Sequence, residues 1–226
     1  ENLDNSFDRY IYVSSAGVYK DSYQFPLSEN SPIDPNSRHK GKFETEDWLI
    51  QQNIPFTSFR PTYIYGPGNY NKIENWFFER LFNLKAIPIP SDGSLITQLG
   101  HVSDLTDVMI RCLNFQISKN NIYNCSGDQG ITIKGLIYLC TEICGLNKND
   151  ISLKSFDYEN LDPKSRKGFP IRLNHYQVNI SKIKNHLDWI PRFDLLSGLK
   201  DSFNNDFDFK KGDDFSQNSD RILFNS

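Results

Sequence analysis

What the sequence does not contain narrows it first. No stretch of the 226 residues approaches the roughly 18 to 20 apolar residues that a membrane-crossing helix requires. The opening residues, Glu1 to Asp8, are polar and acidic and lack the basic-then-apolar order of a secretion signal. The expectation is a soluble, unsecreted protein with no membrane partner. Cysteine is scarce: Cys112, Cys125, Cys140 and Cys144 include no C-x-x-C pair, so neither a zinc site nor a disulfide framework is expected and a reducing compartment fits. Cys140 and Cys144 have the spacing of two ligands on a helix, but they share a helical stripe with Ile133, Leu136, Ile137 and Ile143, which is the pattern of core packing. No metal site is assigned. Positive charge is not in excess either. With 25 Lys and Arg against 28 Asp and Glu, net −3, the chain is not a uniformly basic nucleic-acid binder, and any such contact must be a local patch.

A further absence concerns glycine. A dinucleotide fold needs a glycine turn after its first strand, where the backbone must approach the pyrophosphate closely, and no G-x-G-x-x-G or G-x-x-G-x-x-G occurs here. Because a core strand follows Glu1 by only a few residues, we expect the first half of the sheet and its phosphate-binding turn to belong to a longer parent protein.

What is present reads as α/β. With 38% hydrophobic and 14% aromatic residues the chain is long enough to bury a core. Arg9 to Ser15 is β-rich without alternation, as in a buried parallel strand. A helix is expected from Asn36 or Ser37 to about Gln52, stopped by Asn53-Ile54-Pro55, and Phe56 to Arg60 reads as a second strand. Strand, helix, strand is the βαβ unit of a parallel sheet. Beyond Gly66-Pro67-Gly68 come an aromatic helix around Trp76 to Phe82, a short Ile87 to Pro90 segment, and a helix with Leu105, Val108, Met109, Cys112 and Leu113 on one face. Thr132 reads as an N-cap and Gly145 as the stop of a later helix, with another starting at Ser181. The expected organisation is a Rossmann-like parallel sheet in 1–68, a smaller mixed α+β subdomain in 69–200 with return segments to that core, and an acidic, loosely ordered tail in 201–226.

Val13-Ser14-Ser15-Ala16-Gly17-Val18-Tyr19, Arg60-Pro61-Thr62-Tyr63-Ile64-Tyr65-Gly66-Pro67 and Ile122-Tyr123-Asn124-Cys125-Ser126-Gly127 followed by Thr132 stand in one order along the chain. Together they resemble the extended short-chain dehydrogenases and the NAD-dependent epimerases and dehydratases. The resemblance implies that Ser15 occupies the place of the serine that binds the reacting oxygen, and that Lys42, Arg60, Pro61 and Tyr65 line the cofactor side. It also exposes two departures. Aligning Lys42 and Glu46 with the end of the family's Y-x-x-x-K-x-x-x-E pattern puts Arg38 where the catalytic tyrosine belongs, and a guanidinium stays protonated and cannot relay a proton. In Asp92-Gly93-Ser94-Leu95-Ile96-Thr97, Thr97 replaces the arginine that clamps a sugar nucleotide's diphosphate, leaving one hydroxyl and no charge. No catalytic residue is assigned with these changes, and NAD(P) is left open for the longer parent alone.

Ser37-Arg38-His39-Lys40-Gly41-Lys42, Asn69-Tyr70-Asn71, Ile96 to Val102, Gly168-Phe169-Pro170 and Phe193-Asp194-Leu195 are similar to the chloroplast stem-loop-binding proteins, an atypical plastid and cyanobacterial branch of that superfamily. This resemblance implies stem-loop RNA as partner, association with ribosomes, endonuclease action in some members, and a cyanobacterial cytoplasm or chloroplast stroma as location; a homo- or hetero-oligomer is expected, and a divalent metal if the chain is a nuclease. Candidate RNA contacts are Arg38, His39 and Lys40 in one cluster and Lys164, Arg166, Lys167 and Arg172 in another, where cations and tyrosines can hold phosphates and stack bases. Charged runs are ordinarily solvated faces, and Glu44, Glu46 and Asp47 follow the first cluster at once. His101 and Asp104 have the chemistry of a nuclease acid/base and a metal ligand, but a structural helix start at Ser103-Asp104 is the expectation. The competing functions are a divergent NAD(P)-dependent sugar-nucleotide epimerase or dehydratase, and an inert oligomeric scaffold.

Overall fold

The computed structural model describes residues 7–71, 73–83, 85–208, 220, 221 and 223. In chain order the strands are β1 (Tyr10–Val13), β2 (Phe56–Pro61), β3 (Tyr63–Tyr65), β4 (Ile87–Pro90), β5 (Ile96–Thr97), β6 (Leu99–His101), β7 (Asn121–Cys125), β8 (Ile131–Thr132) and β9 (Leu153–Phe156). The α-helices are α1 (Lys40–Gln51), α2 (Glu74–Phe82), α3 (Val102–Arg111), α4 (Ile133–Ile143), α5 (Ser181–Leu187) and α6 (Leu195–Asp206). These fall into two compact units whose segments interleave: residues 1–64, 98–128 and 177–193 in one, and 65–97, 129–176 and 194–226 in the other.

The first unit carries a parallel sheet in the order β1-β2-β7, the Rossmann-like arrangement. β2 lies between two partners, Tyr12 pairing with Ser58 and Phe59 with Tyr123. All six of its residues are buried, which is why its sequence shows no period-two alternation. Leu49 of α1, Ile54 and Phe56 form a core cluster joined by Phe7, Tyr12 and Ile122. The helix after β1 starts later than its sequence suggests. The Ser37 hydroxyl donates to Gly17 O (2.7 Å) and accepts from His39 N (3.0 Å), so residues 37–39 form a turn pinned to Gly17, and α1 begins at Lys40. Arg38 and His39 therefore precede the helix instead of forming its first turn.

In the second unit β4 runs parallel to β9, and β5 pairs antiparallel with β8. Ile87-Pro88-Ile89-Pro90 is a strand with a single paired side, which suits prolines that cannot donate to a ladder. Trp76 and Phe77 of α2 meet Phe169 edge to face, and Phe78 packs the same way on Phe203 and Phe207. Thr132 caps α4 through Gly135 N (3.0 Å), and Gly145 follows that helix with φ +71°, the left-handed conformation that favours glycine. Cys140 is buried in α4 as a free thiol. Asp194 caps α6 through Ser197 N (2.7 Å), and the helix continues to Asp206. Residues 201–206, expected at the start of a loose tail, are thus helical, while 209–219 lie outside the described residues.

Candidate functional site

The site begins where β1 ends. Ser15 caps a single 3-10 turn, Ala16–Val18, by accepting from Gly17 N (3.0 Å). The His39 imidazole lies against that turn, so closely that a Cβ on Gly17 would stand 2.5 Å from His39 Cδ2. Arg38 Nε donates to His39 Nε2 (3.0 Å), and Lys42 Nζ donates to Val13 O (2.8 Å) while standing 5.3 Å from the Tyr12 ring centre. Ser37, His39 and Lys42 thus bind the β1 turn directly, and Arg38 joins through His39. Lys40 is exposed, with Glu44 4.0 Å away across one helical turn, an ion pair of little energetic weight at that exposure. No acidic residue occupies the first turn of α1, and its N-cap position, His39, makes no side-chain capping bond.

Arg60 points inward. Its guanidinium grips the Glu46 carboxylate through Nε (3.2 Å) and NH2 (2.6 Å), and NH1 donates to Tyr19 Oη (3.0 Å). Tyr19 donates in turn to Asn124 Oδ1 (2.6 Å), whose backbone N–H reaches Glu29 (2.9 Å). Ser58 adds a hydrogen bond to Glu46 (2.7 Å). Burial pushes the Tyr19 hydroxyl up to about 12, with Arg60 pulling the other way. Burial works to lower the Arg60 pKa, yet its bonds to Glu46 and Tyr19 hold it above the ordinary value. This chain of polar contacts stitches β1's following turn, α1, β2 and β7 together. Sequence reasoning missed it, although Tyr19 and Asn124 both stand in quoted motifs. Pro61 ends β2 in register with Cys125. Tyr65, in the second unit, is buried with its hydroxyl against Gly198 of α6.

His101 and Asp104 serve the backbone. His101 Nδ1 accepts from Ser103 N (3.3 Å), so His101 caps α3 in place of Ser103-Asp104, and its ring stacks on Phe193 at 3.9 Å. Asp104 accepts from the N–H groups of Arg192 (2.9 Å) and Phe193 (3.2 Å). Thr97 is buried on β5, and its hydroxyl makes no hydrogen bond among the described residues. The second basic cluster lies in the second unit around a 3-10 turn, Ser165–Gly168. Lys164, Arg166 and Lys167 are exposed there, and the Arg172 guanidinium stacks 4.5 Å from the Tyr176 ring centre. Asp162 organises the turn by accepting from Lys164 N (2.8 Å) and Ser165 N (3.1 Å), and the Ser165 hydroxyl and backbone hold its carboxyl below the ordinary value.

Among the described residues no helix is long and apolar enough to cross a membrane, and no group of three or more His, Cys, Asp or Glu is placed to hold a metal.

Comparison with known proteins adds context to this geometry. A family model described as NAD dependent epimerase/dehydratase family matches residues 3–126. The chloroplast stem-loop binding protein of 41 kDa b of Arabidopsis thaliana is 43% identical over 215 residues, which is 92% of this chain and 56% of that protein. A putative UDP-glucose 4-epimerase of Methanocaldococcus jannaschii is 25% identical over 203 residues, 85% of this chain and 61% of the relative. This chain therefore spans little more than half the length of the curated relatives it matches. Among solved structures, a UDP-glucose 4-epimerase of Thermotoga maritima with UDP-glucose superposes with TM-score 0.71 at 21% identity, covering 88% of this chain and 63% of that one. At that identity the likeness concerns the fold.

Proposed function

This chain belongs to the NAD dependent epimerase/dehydratase family, and from that premise we propose that it is an RNA-binding protein that uses the family scaffold without its tyrosine chemistry. The observation that carries this reading is the segment 37–42. Where the family pattern places a proton-relaying tyrosine, Arg38 stands exposed, hydrogen-bonded to His39 and flanked by Lys40 and Lys42, with no acid in the first turn of α1. Lys42 is bonded to Val13 O, but the exposed Arg38 and Lys40 lie where the backbone dipole disfavours cations, which supports a phosphate contact at those two positions. The exposed Lys164, Arg166 and Lys167 supply a second set of candidate contacts. A relative 43% identical over 92% of the chain carries the name of a stem-loop binding protein. RNA with a stem-loop is accordingly the proposed partner, and the chloroplast stroma the proposed location.

The family implies a nicotinamide dinucleotide. The residues present do not form a cradle for one: Arg60 is turned into Glu46, Tyr65 is buried against Gly198, and Lys42 is bonded to Val13 O. No step of the proposed function runs through that group. The competing reading, a divergent sugar-nucleotide enzyme, is favoured by the retention of Ser15 and Lys42 beside one turn, and opposed by Arg38 and by the uncharged, buried Thr97.

Titrating a fluorescent hairpin RNA with the 226-residue chain near physiological salt tests the proposal. Saturable binding tighter than the roughly 10⁻⁴ to 10⁻⁶ M of non-specific contacts is expected. Absence of saturable binding, or hydride transfer with a sugar nucleotide, would overturn it.

A further inference from the structure

An exposed tyrosine needs no explanation by itself, but one held at the crest of an anchored loop presents a fixed apolar ring that a flat partner can cover. Tyr70 is 99% exposed. It sits in the Gly66 to Asn71 loop of the second unit, which is held in shape from below. Glu74, 1% exposed, receives hydrogen bonds from Gly66 N (3.0 Å), from Asn69 Nδ2 (3.4 Å) and from the Ser202 hydroxyl of α6 (2.7 Å). Asn69 N closes a turn onto Gly66 O (3.2 Å), Asn69 Oδ1 takes Asn71 N (3.0 Å), and Ile73, 1% exposed, donates to Asn71 O (2.7 Å). Gly68 adopts φ +80°, a conformation that glycine takes without strain and that lets the chain reverse just before the tyrosine. A buried carboxylate on one side and a buried isoleucine on the other thus fix a loop whose crest is a bare aromatic ring between two asparagines.

We propose that Tyr70 is a stacking platform for an unpaired nucleobase, with the Asn69-Tyr70-Asn71 crest taking a base from the loop of the RNA and not from its duplex stem. This rests on the RNA reading above and adds what that reading leaves open, the part of the RNA that is recognised. The chemistry fits the ligand. Every base has a π-face that a tyrosine can cover, stacking tolerates any sequence, and unpaired bases can splay out where paired ones cannot. Tyr23, 104% exposed in the other unit, makes a control as an equally exposed ring, in a turn where the Ser22 hydroxyl accepts from Gln24 N (2.9 Å) and donates to Gln24 O (3.3 Å).

The test uses the 226-residue chain, with Tyr70→Ala, Tyr70→Phe and Tyr23→Ala, against a hairpin with an unpaired loop, a blunt duplex of the same stem, and a short single-stranded oligouridine. Tyr70→Ala should weaken the hairpin and the oligouridine by roughly 5- to 150-fold, the range for loss of one stacked base. Tyr70→Phe should restore wild-type affinity, and the duplex should not respond. The slope of log K against log salt should stay unchanged, because no phosphate contact is lost. Tyr23→Ala should bind as wild type. Wild-type binding of the hairpin with no effect of Tyr70→Ala, an equal loss on the duplex, or an equal loss from Tyr23→Ala overturns the proposal and leaves the RNA reading standing. Failure of the wild-type chain to bind any of the three RNAs overturns both.

Discussion

Glu46 and Arg60 are both withdrawn from water, at 1% and 3% exposure, and each is tolerable there because the other is present. Two ionised groups in such a place cost several kcal/mol each in lost hydration, offset by their mutual bonds and by Ser58 and Tyr19. Removing one partner leaves the other charged and unmatched. We therefore expect Glu46→Ala to cost about 3 to 5 kcal/mol in a urea melt, and a paired Glu46→Leu, Arg60→Met change to cost clearly less. Equal losses from the single and the paired change would contradict this account of the network. Part of it was legible in the sequence. The Lys42 and Glu46 spacing marks one helix face, but nothing along the chain tells that Glu46 turns to Arg60 on the neighbouring strand while Lys42 turns to Val13. Contacts of this kind depend on which strands are neighbours, which local pattern does not carry.

Helices and loops show where pattern succeeds and where it stops. Thr132 and the stop at Gly145 were readable because caps are local chemistry between residues a turn apart. The start of α1 was not, because Ser37 is claimed by Gly17, twenty positions away in sequence. Gly198 in α6 is a similar case. An alanine would suit the helix better by roughly 1 kcal/mol, yet its Cβ would collide with the Tyr65 hydroxyl. Gly198→Ala should therefore destabilise the protein by about 1 to 3 kcal/mol, and the penalty should shrink in a Tyr65→Phe background. Equal penalties in the two backgrounds would show that the contact is not the cause. The anchor of the 66–71 loop has its own signature. Burial raises the Glu74 carboxyl above its ordinary value, with the bonds from Gly66 and Ser202 pulling down. A carboxyl raised in the folded state supports folding while protonated, and that support is lost as pH rises from the ordinary carboxylate range through the folded value. Glu74→Gln should thus match wild type at the acid end and gain on it as pH rises through that window. A stability difference that does not change with pH would refute this.

At the scale of the whole chain, the α/β class and the parallel βαβ unit were evident because strand, helix and strand leave coarse signatures of composition and spacing, although β1, expected as a buried strand, leaves Tyr10 and Val13 exposed and only β2 is buried throughout. Return segments to the core were expected, but their positions at 98–128 and 177–193 were not, since they depend on which elements join the unit that contains β1 and β2. The departures at Arg38 and Thr97 were legible as chemistry, and what they lead to is the proposal that phosphate recognition has taken the place of proton relay. Counterion release gives the most direct measurement of that claim. Affinity for a hairpin RNA should be measured from low to high salt for the 226-residue chain and for an Arg38→Ala, Lys40→Ala variant shown to be folded by its melt. Each lost phosphate contact lowers the magnitude of the slope of log K against log salt by about 0.7 to 0.9, so the variant should bind more weakly and with a slope flatter by up to roughly 1.4 to 1.8. A folded variant that keeps both the affinity and the slope of the parent would contradict the account, marking Arg38 to Lys42 as an ordinary solvated surface.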